Sequence, residues 1–186
     1  MVFNFSEGLS VGGFKLGEVS SAMQKSIRRG LEEDALFWAS ELDLSGYGNY
    51  AFKRLRIIAS EDVGLADSQV AVEVRCLYEN WLEVRKAKPE ERLDGALFLA
   101  HAVLLLSRAL KSRIVDHALM VFWFGGERKG WSIPDYALDQ HTSRGRRLKR
   151  GVKHFFSEGA LLANPAALPD HYAKRALASA IKTAKS

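Results

Sequence analysis

The clearest chemistry in the sequence lies in a dense run of basic side chains near its C-terminal end. Six cationic residues stand within ten positions: Arg144, Arg146, Arg147, Lys149, Arg150 and Lys153. Arginine binds phosphate in bidentate geometry, and each phosphate contact adds affinity that falls as salt rises. On one continuous helix, Arg146, Arg150 and Lys153 would share a face. Phe155 and Phe156 follow and could stack on bases. We predict nucleic-acid binding here; a solvated basic face over two core phenylalanines is the alternative.

A second group combines histidines with carboxylates at helical spacing. Asp135 and Asp139 are four residues apart, as are His154 and Glu158, and His141 lies between the two pairs. Imidazole and carboxylate groups ligate several divalent metals. The alternative function is therefore a metal-dependent enzyme acting on nucleic acid. Because such pairs are common on helix surfaces, we instead predict a protein that is not an enzyme and holds no metal or cofactor.

An acidic string in the first half of the chain has two interpretations. It contains Ser60, Glu61, Asp62, Gly64 and Asp67. One interpretation is a metal or catalytic carboxylate site. We favour a structural junction, in which the carboxylates cap the following helix and pair with Arg54 or Arg56. In that junction Gly64 provides a tight turn.

Apolar residues recur at spacings of three and four through most of the chain, which is typical of amphipathic helices. The predicted helices run over residues 18–29, 32–44, 49–61, 68–86, 89–109, 112–124 and 170–184. No segment alternates as a strand would, so we predict an all-α helical bundle. The helix containing the apolar run 96–106 is predicted to be the most buried, with His101 as a core histidine.

The same pattern predicts three regions along the chain. Residues 1–17 form an irregular N-terminal arm, residues 18–126 a helical core, and residues 127–186 a basic helical extension packed on that core. Within ten positions near the end of the core stand four aromatic residues, Phe122, Trp123, Phe124 and Trp131. Core packing is the first interpretation of this group, and an oligomer interface is the second, because aromatic residues are enriched in interfaces.

Composition permits an anionic partner and argues against membrane insertion. The 186 residues carry a formal net charge of +5 and a single cysteine, Cys76. The apolar run 96–106 is shorter than the roughly 20 residues that span a bilayer. Residues 1–15 lack the pattern of a signal peptide. We expect a cytoplasmic protein without membrane contact, in which Cys76 is a buried or half-buried thiol.

A phosphate-binding loop for ATP is not recognisable in the sequence. The motif requires two glycines five positions apart, followed by lysine and then serine or threonine. Residues 8–13 and 125–130 have the glycine spacing, but Phe14 and Trp131 stand where the lysine is required. We therefore predict that the chain does not hydrolyse ATP.

Three segments carry a resemblance to a known family. Residues 21–30 read Ser-Ala-Met-Gln-Lys-Ser-Ile-Arg-Arg-Gly and precede Asp-Ala-Leu-Phe-Trp-Ala at 34–39. Residues 53–67 end in Ala-Ser-Glu-Asp-Val-Gly-Leu-Ala-Asp, and residues 111–115 read Lys-Ser-Arg-Ile-Val. Together they resemble the region after the AAA+ ATPase core in the replication-associated recombination protein A (MgsA) family. The resemblance covers about residues 18 to 120.

The resemblance implies a helical domain related to the collar of clamp-loader subunits, which drives tetramer formation in a family that acts at stalled forks and single-stranded DNA ends. Its motif residues correspond to Lys25, Arg54, Ser60, Glu61, Asp62, Gly64 and Asp67. Since the family's ATPase core is not recognisable in this sequence, we expect a stand-alone accessory of DNA replication, recombination and repair. Its expected partners are further copies of itself, DNA and a related AAA+ ATPase. A protein-interaction module with no DNA role is the alternative.

Overall fold

The computed structural model describes residues 5–87, 92–126, 128 and 130–183. Throughout these ranges the regular structure is helical, with one isolated bridge between Leu9 and Lys15 and no strand. The prediction of an all-α fold is therefore confirmed. The chain divides into two compact units, Met1–Glu127 and Arg128–Ser186. The predicted packing of the C-terminal extension on the core stays a prediction.

Six α-helices build the described part of the first unit. They are α1 (Leu16–Arg29), α2 (Glu32–Leu44), α3 (Gly48–Ile58), α4 (Val70–Ala87), α5 (Arg92–Arg108) and α6 (Ile114–Leu119). Helices α3 and α6 each continue into a wide π-type turn, at Ala59–Val63 and Met120–Phe124. These turns end segments that periodicity alone predicted as uninterrupted helices. The predicted start at Pro89, the predicted end at Ala184 and residues 1–4 of the N-terminal arm lie outside the described residues.

Local sequence signals explain where the first helices begin and end. Helix α1 buries Val19, Met23 and Ile27 at spacings of four, which places one apolar stripe against the core. It ends at Gly30, whose φ of 71° is a left-handed conformation that glycine adopts without strain. Upstream of α1, the N-terminal arm is tied to α2, because Ser10 Oγ and the Gly12 amide both donate hydrogen bonds to the Glu41 carboxylate.

Helix α5 is less buried than its continuous apolar run predicts. One face packs against α1, α2, α3 and α4, and it buries Leu99, Ala102, Val103 and Leu106. On the opposite face Leu97 is 67% exposed and His101 is also exposed. The prediction of a core histidine is therefore wrong. Cys76 of α4 is exposed as well, contrary to the expected buried thiol. A continuous run of apolar residues does not indicate which face of a helix packs against other helices.

In its described residues, the second unit contains two short α-helices, one longer α-helix and few buried apolar residues. Its described helices are α7 (Ser143–Arg147), α8 (Val152–His154) and α9 (Ala173–Thr183). Leu138 and Val152 are its buried apolar residues among those described. The basic run is not one helix, because Lys149 adopts a left-handed φ of 58° between α7 and α8. One continuous helix, the condition under which Arg146, Arg150 and Lys153 would share a face, is therefore not met.

Across the described ranges, no helix is long and apolar enough to cross a membrane.

Candidate functional site

The acidic string forms a buried ion-pair junction around Asp62. The Asp62 side chain is fully buried in the π-type turn after α3. Arg28 of α1 donates from Nε to Asp62 Oδ1 at 2.6 Å and from Nη2 to Glu61 Oε1 at 2.9 Å. Gln24 donates to Asp62 Oδ2 at 3.3 Å. Because an unpaired buried carboxylate is strongly unfavourable, these donors hold α1 against the turn. The hydrogen bond to Asp62 in turn raises the pKa of Arg28.

A second set of contacts extends the junction to the linker between α5 and α6. The Ser112 amide donates to the Asp62 carbonyl at 2.9 Å. The Arg113 guanidinium lies 3.7 Å from Glu61 Oε1 and also pairs with Asp116. Lys111 Nζ donates to three carbonyls at the end of α5, where a cation complements the helix dipole. Burial lowers the pKa of the Lys111 ammonium group.

The expected partners of the carboxylates differ from those observed. Arg54 donates to the Gln24 side chain and does not pair with the string directly. Arg56 lies over the Tyr78 ring, 4.7 Å from its centroid. The cation that pairs with Asp62 is Arg28, 34 residues away in the sequence, and spacing alone gives no signal for such a distant pair.

The remaining motif positions lie around the junction. Asp67 accepts the Gln69 amide at 3.1 Å and so caps the turn before α4. Lys25 is exposed and donates to Ser21 Oγ at 2.8 Å, outside the junction. Ser60 is exposed at the rim of a groove.

Gly64 has a conformation and a neighbour that both disfavour a side chain. Its φ is 50° with ψ of −120°, and an added Cβ would lie 3.0 Å from Val115 Cγ2. Gly64→Ala is expected to lower the free energy of unfolding by about 1–3 kcal/mol, measured by urea denaturation. Gly46→Ala is the matched control, because Gly46 has a φ of 87° with open space around its Cβ direction. Equal losses in the two variants would contradict a packing role for Val115.

An open groove of about 540 Å³ lies between α3 and α6, beside the junction. Its lining consists of Lys53, Arg56, Ile57, Ser60, Glu61, Val115, Asp116 and Leu119. The two acids are compensated by Arg28 and Arg113. In the part of the chain that the structure describes, Lys53 and Arg56 have no carboxylate partner. The groove therefore combines an apolar floor with a basic rim.

The basic run of the second unit is presented mostly to solvent. Arg150 pairs with Asp135 at 2.6 Å, and Arg146 donates to backbone carbonyls. The other four cations are exposed and have no ion pair with any described residue: Arg144, Arg147, Lys149 and Lys153. Short helices position them, since Thr142 Oγ1 accepts the Gly145 amide at the start of α7.

The histidines and carboxylates of the second unit form separate pairs. Asp135 contacts His154 Nε2 at 3.0 Å, and Asp139 contacts His141 Nδ1 at 3.0 Å. Hydrogen bonds to these histidines lower the pKa of both aspartates. In the described ranges, neither pair includes Glu158. Within those ranges, no group of three or more His, Cys, Asp or Glu side chains could hold a metal ion, so the alternative metal enzyme has no ligand set there.

The aromatic group at the end of the first unit is not part of a core. Trp123 is 71% exposed and Phe124 is 70% exposed, and Met120 and Val121 beside them are also exposed. Trp131 in the second unit is exposed too. Core packing was therefore the wrong interpretation of this group, and the interface interpretation stays a prediction.

Charge is divided unequally between the two units. Residues 128–186 hold 12 of the 27 lysines and arginines but 4 of the 22 acidic residues, a formal net charge of +8. Residues 1–127 hold 15 basic and 18 acidic residues, a net charge of −3. The excess of formal positive charge thus lies in the second unit.

Comparison with known proteins gives a family model and curated relatives. The model described as "MgsA AAA+ ATPase C terminal" matches residues 32–180. Replication-associated recombination protein A of Haemophilus influenzae is 30% identical over 130 residues, which are 69% of this chain and 27% of the relative. The protein of that name from Bacillus subtilis is 33% identical over 141 residues, 74% of this chain and 31% of the relative. This chain therefore spans less than a third of either relative.

Proposed function

The chain belongs to the family of the MgsA AAA+ ATPase C-terminal domain, and on this premise we propose a non-enzymatic accessory of DNA replication and recombination that self-associates and binds DNA. The predicted resemblance is confirmed, and the match to residue 180 extends it into the second unit. The names of the relatives support the link to replication and recombination.

The charge of the second unit carries the DNA-binding part of the proposal. A net charge of +8 in 59 residues creates a local positive potential, although the whole chain is only moderately basic. The four exposed cations of the basic run, which have no acidic partner among the described residues, are available for phosphate contacts. Phe155 and Phe156, which are half-buried and in edge-to-face contact, lie next to them in the sequence and are candidates for stacking on unpaired bases.

Fluorescence anisotropy with labelled single-stranded and duplex oligonucleotides tests this function. We expect both to bind at low salt, because phosphate contacts do not require a particular sequence. Tighter binding of the single strand is expected if the aromatic rings contribute. Failure of both oligonucleotides to bind at low salt would contradict the DNA role and favour a module that binds only proteins.

Exposed apolar residues support the self-association part. Contiguous apolar surface is rare on monomeric proteins and marks interaction sites, and the segment 120–124 exposes such residues in succession. A related AAA+ ATPase is the second proposed partner, since the matched region follows an ATPase core in the family. The 186 residues of this chain contain no recognisable phosphate-binding loop for ATP. By assembling with such an ATPase, the chain would modulate a motor activity that it does not supply itself.

A further inference from the structure

The groove between α3 and α6 and an acidic aromatic patch on α2 have complementary surfaces. We infer that the groove of one copy receives the α2 patch of a second copy. This inference rests on the proposed self-association and adds two surfaces, besides the segment 120–124, through which copies make contact.

The groove offers an apolar floor flanked by positive charge. Ile57 of α3 is 39% exposed, and Val115 and Leu119 of α6 are exposed to a similar degree. Lys53 lies one turn before Ile57 and Arg56 directly precedes it; both line the groove, and neither has an acidic partner among the described residues. Because the acids of the lining are held by arginines, the net charge offered to an incoming surface is positive.

The patch offers the opposite charge together with aromatic rings. Glu33 and Asp34 in the first turn of α2 are exposed and have no cationic partner in the described ranges. Phe37 follows within one turn, is 48% exposed, and contacts the ring of Phe14 edge-to-face at 6.3 Å. The exposed stripe thus presents two acids and then an aromatic ring along one side of α2.

Both surfaces remain uncovered within their own unit, although they belong to the same chain. A groove of about 540 Å³ has room for an aromatic side chain with its neighbours. Since groove and patch are different surfaces, the contact is heterologous and runs head to tail. Such contacts close into a ring when the rotation between copies permits it. Charge complementarity of this kind sets the register and partner of an interface.

Charge reversal tests the pairing through complementation. Lys53→Glu with Arg56→Glu reverses the groove, and Glu33→Lys with Asp34→Lys reverses the patch. We expect each variant alone to lose self-association at concentrations where the unaltered chain assembles, with the midpoint of assembly rising about tenfold or more. An equimolar mixture should assemble again, because each variant then meets its complement. The readout is molar mass by light scattering across a concentration series.

The control variant, Lys25→Glu with Arg29→Glu, reverses two exposed cations of α1 that are not in the lining of this groove. It should leave assembly unchanged. Circular dichroism checks the fold, and Lys53→Ala with Arg56→Ala replaces the groove variant if that variant does not fold. An unaltered chain that stays monomeric would overturn the proposed self-association as well as this interface. Two outcomes would overturn the interface while self-association stands. In the first, each variant alone assembles like the unaltered chain. In the second, each variant alone fails to assemble and the equimolar mixture also fails to assemble.

Discussion

Arg28→Ala is expected to lower the free energy of unfolding by about 3 kcal/mol, because it leaves a buried carboxylate without its main cation. Asp62 is fully buried, and Arg28 is its nearest cation at 2.6 Å. The other arginine near Asp62 is Arg113, with Nε 3.9 Å from Oδ1. Removing one partner of a buried pair leaves an uncompensated charge, which costs about 3–5 kcal/mol. We expect the lower end because Arg28 is itself partly exposed.

The control for this change is Arg29→Ala on the same helix. Arg29 is exposed, and its guanidinium donates to the Lys25 carbonyl. Its loss should change stability by no more than about 0.5 kcal/mol. Urea denaturation of both variants gives the comparison. A double-mutant cycle of Arg28→Met with Asp62→Asn measures the coupling directly. Equal effects of Arg28→Ala and Arg29→Ala would show that the junction does not stabilise the fold.

Removing four cations of the second unit should weaken DNA binding by about 100-fold or more at moderate salt. The variant changes Arg144, Arg147, Lys149 and Lys153 to alanine. Each phosphate contact contributes separately through release of counterions, so four losses multiply. Arg150 stays unchanged because it pairs with Asp135 inside the unit, and its removal would confound binding with folding. Fluorescence anisotropy at fixed salt measures the loss.

A variant with the same number of charges removed from the first unit provides the control. It changes the exposed residues Lys25, Arg29, Arg75 and Lys86 to alanine. Both variants lower the net charge equally, so a general electrostatic effect would weaken binding equally in both. If instead the second unit contacts DNA, the control should lose less than about tenfold in affinity. Comparable losses in the two variants would contradict a binding surface confined to the second unit.

The helices of the first unit were largely predictable because their signals are local. Helix α2 spans Glu32–Leu44 as its pattern predicted, and Gly30 ends α1 as its position indicated. The broken basic run was not predictable from periodicity, since Lys149 takes a left-handed conformation that lysine rarely adopts. The π-type turns after α3 and α6 likewise continue a helical pattern in sequence while changing its geometry.

The candidate sites were predictable in part. Contacts between residues close in the sequence were predictable, and contacts between residues far apart in the sequence were not. The acidic string was recognisable, but its cation Arg28 is distant in sequence, and the nearer Arg54 and Arg56 were the wrong choice. The exposure of individual side chains was predicted poorly, because it too depends on contacts between residues distant in the sequence. Whether Trp123 or His101 meets a neighbouring helix depends on packing between elements, which residue type and spacing do not determine.

The salt dependence of DNA affinity tests the proposed function most directly. The dissociation constant for a labelled single strand is measured over a series of salt concentrations, for the unaltered chain and for the variant lacking the four cations. We predict that the slope of log affinity against log salt is shallower in the variant by about 3. Each lost contact to a single strand removes about 0.7 from the slope, and the variant loses four contacts. Equal slopes for the two proteins, or a flat slope for the unaltered chain, would contradict DNA binding through the second unit.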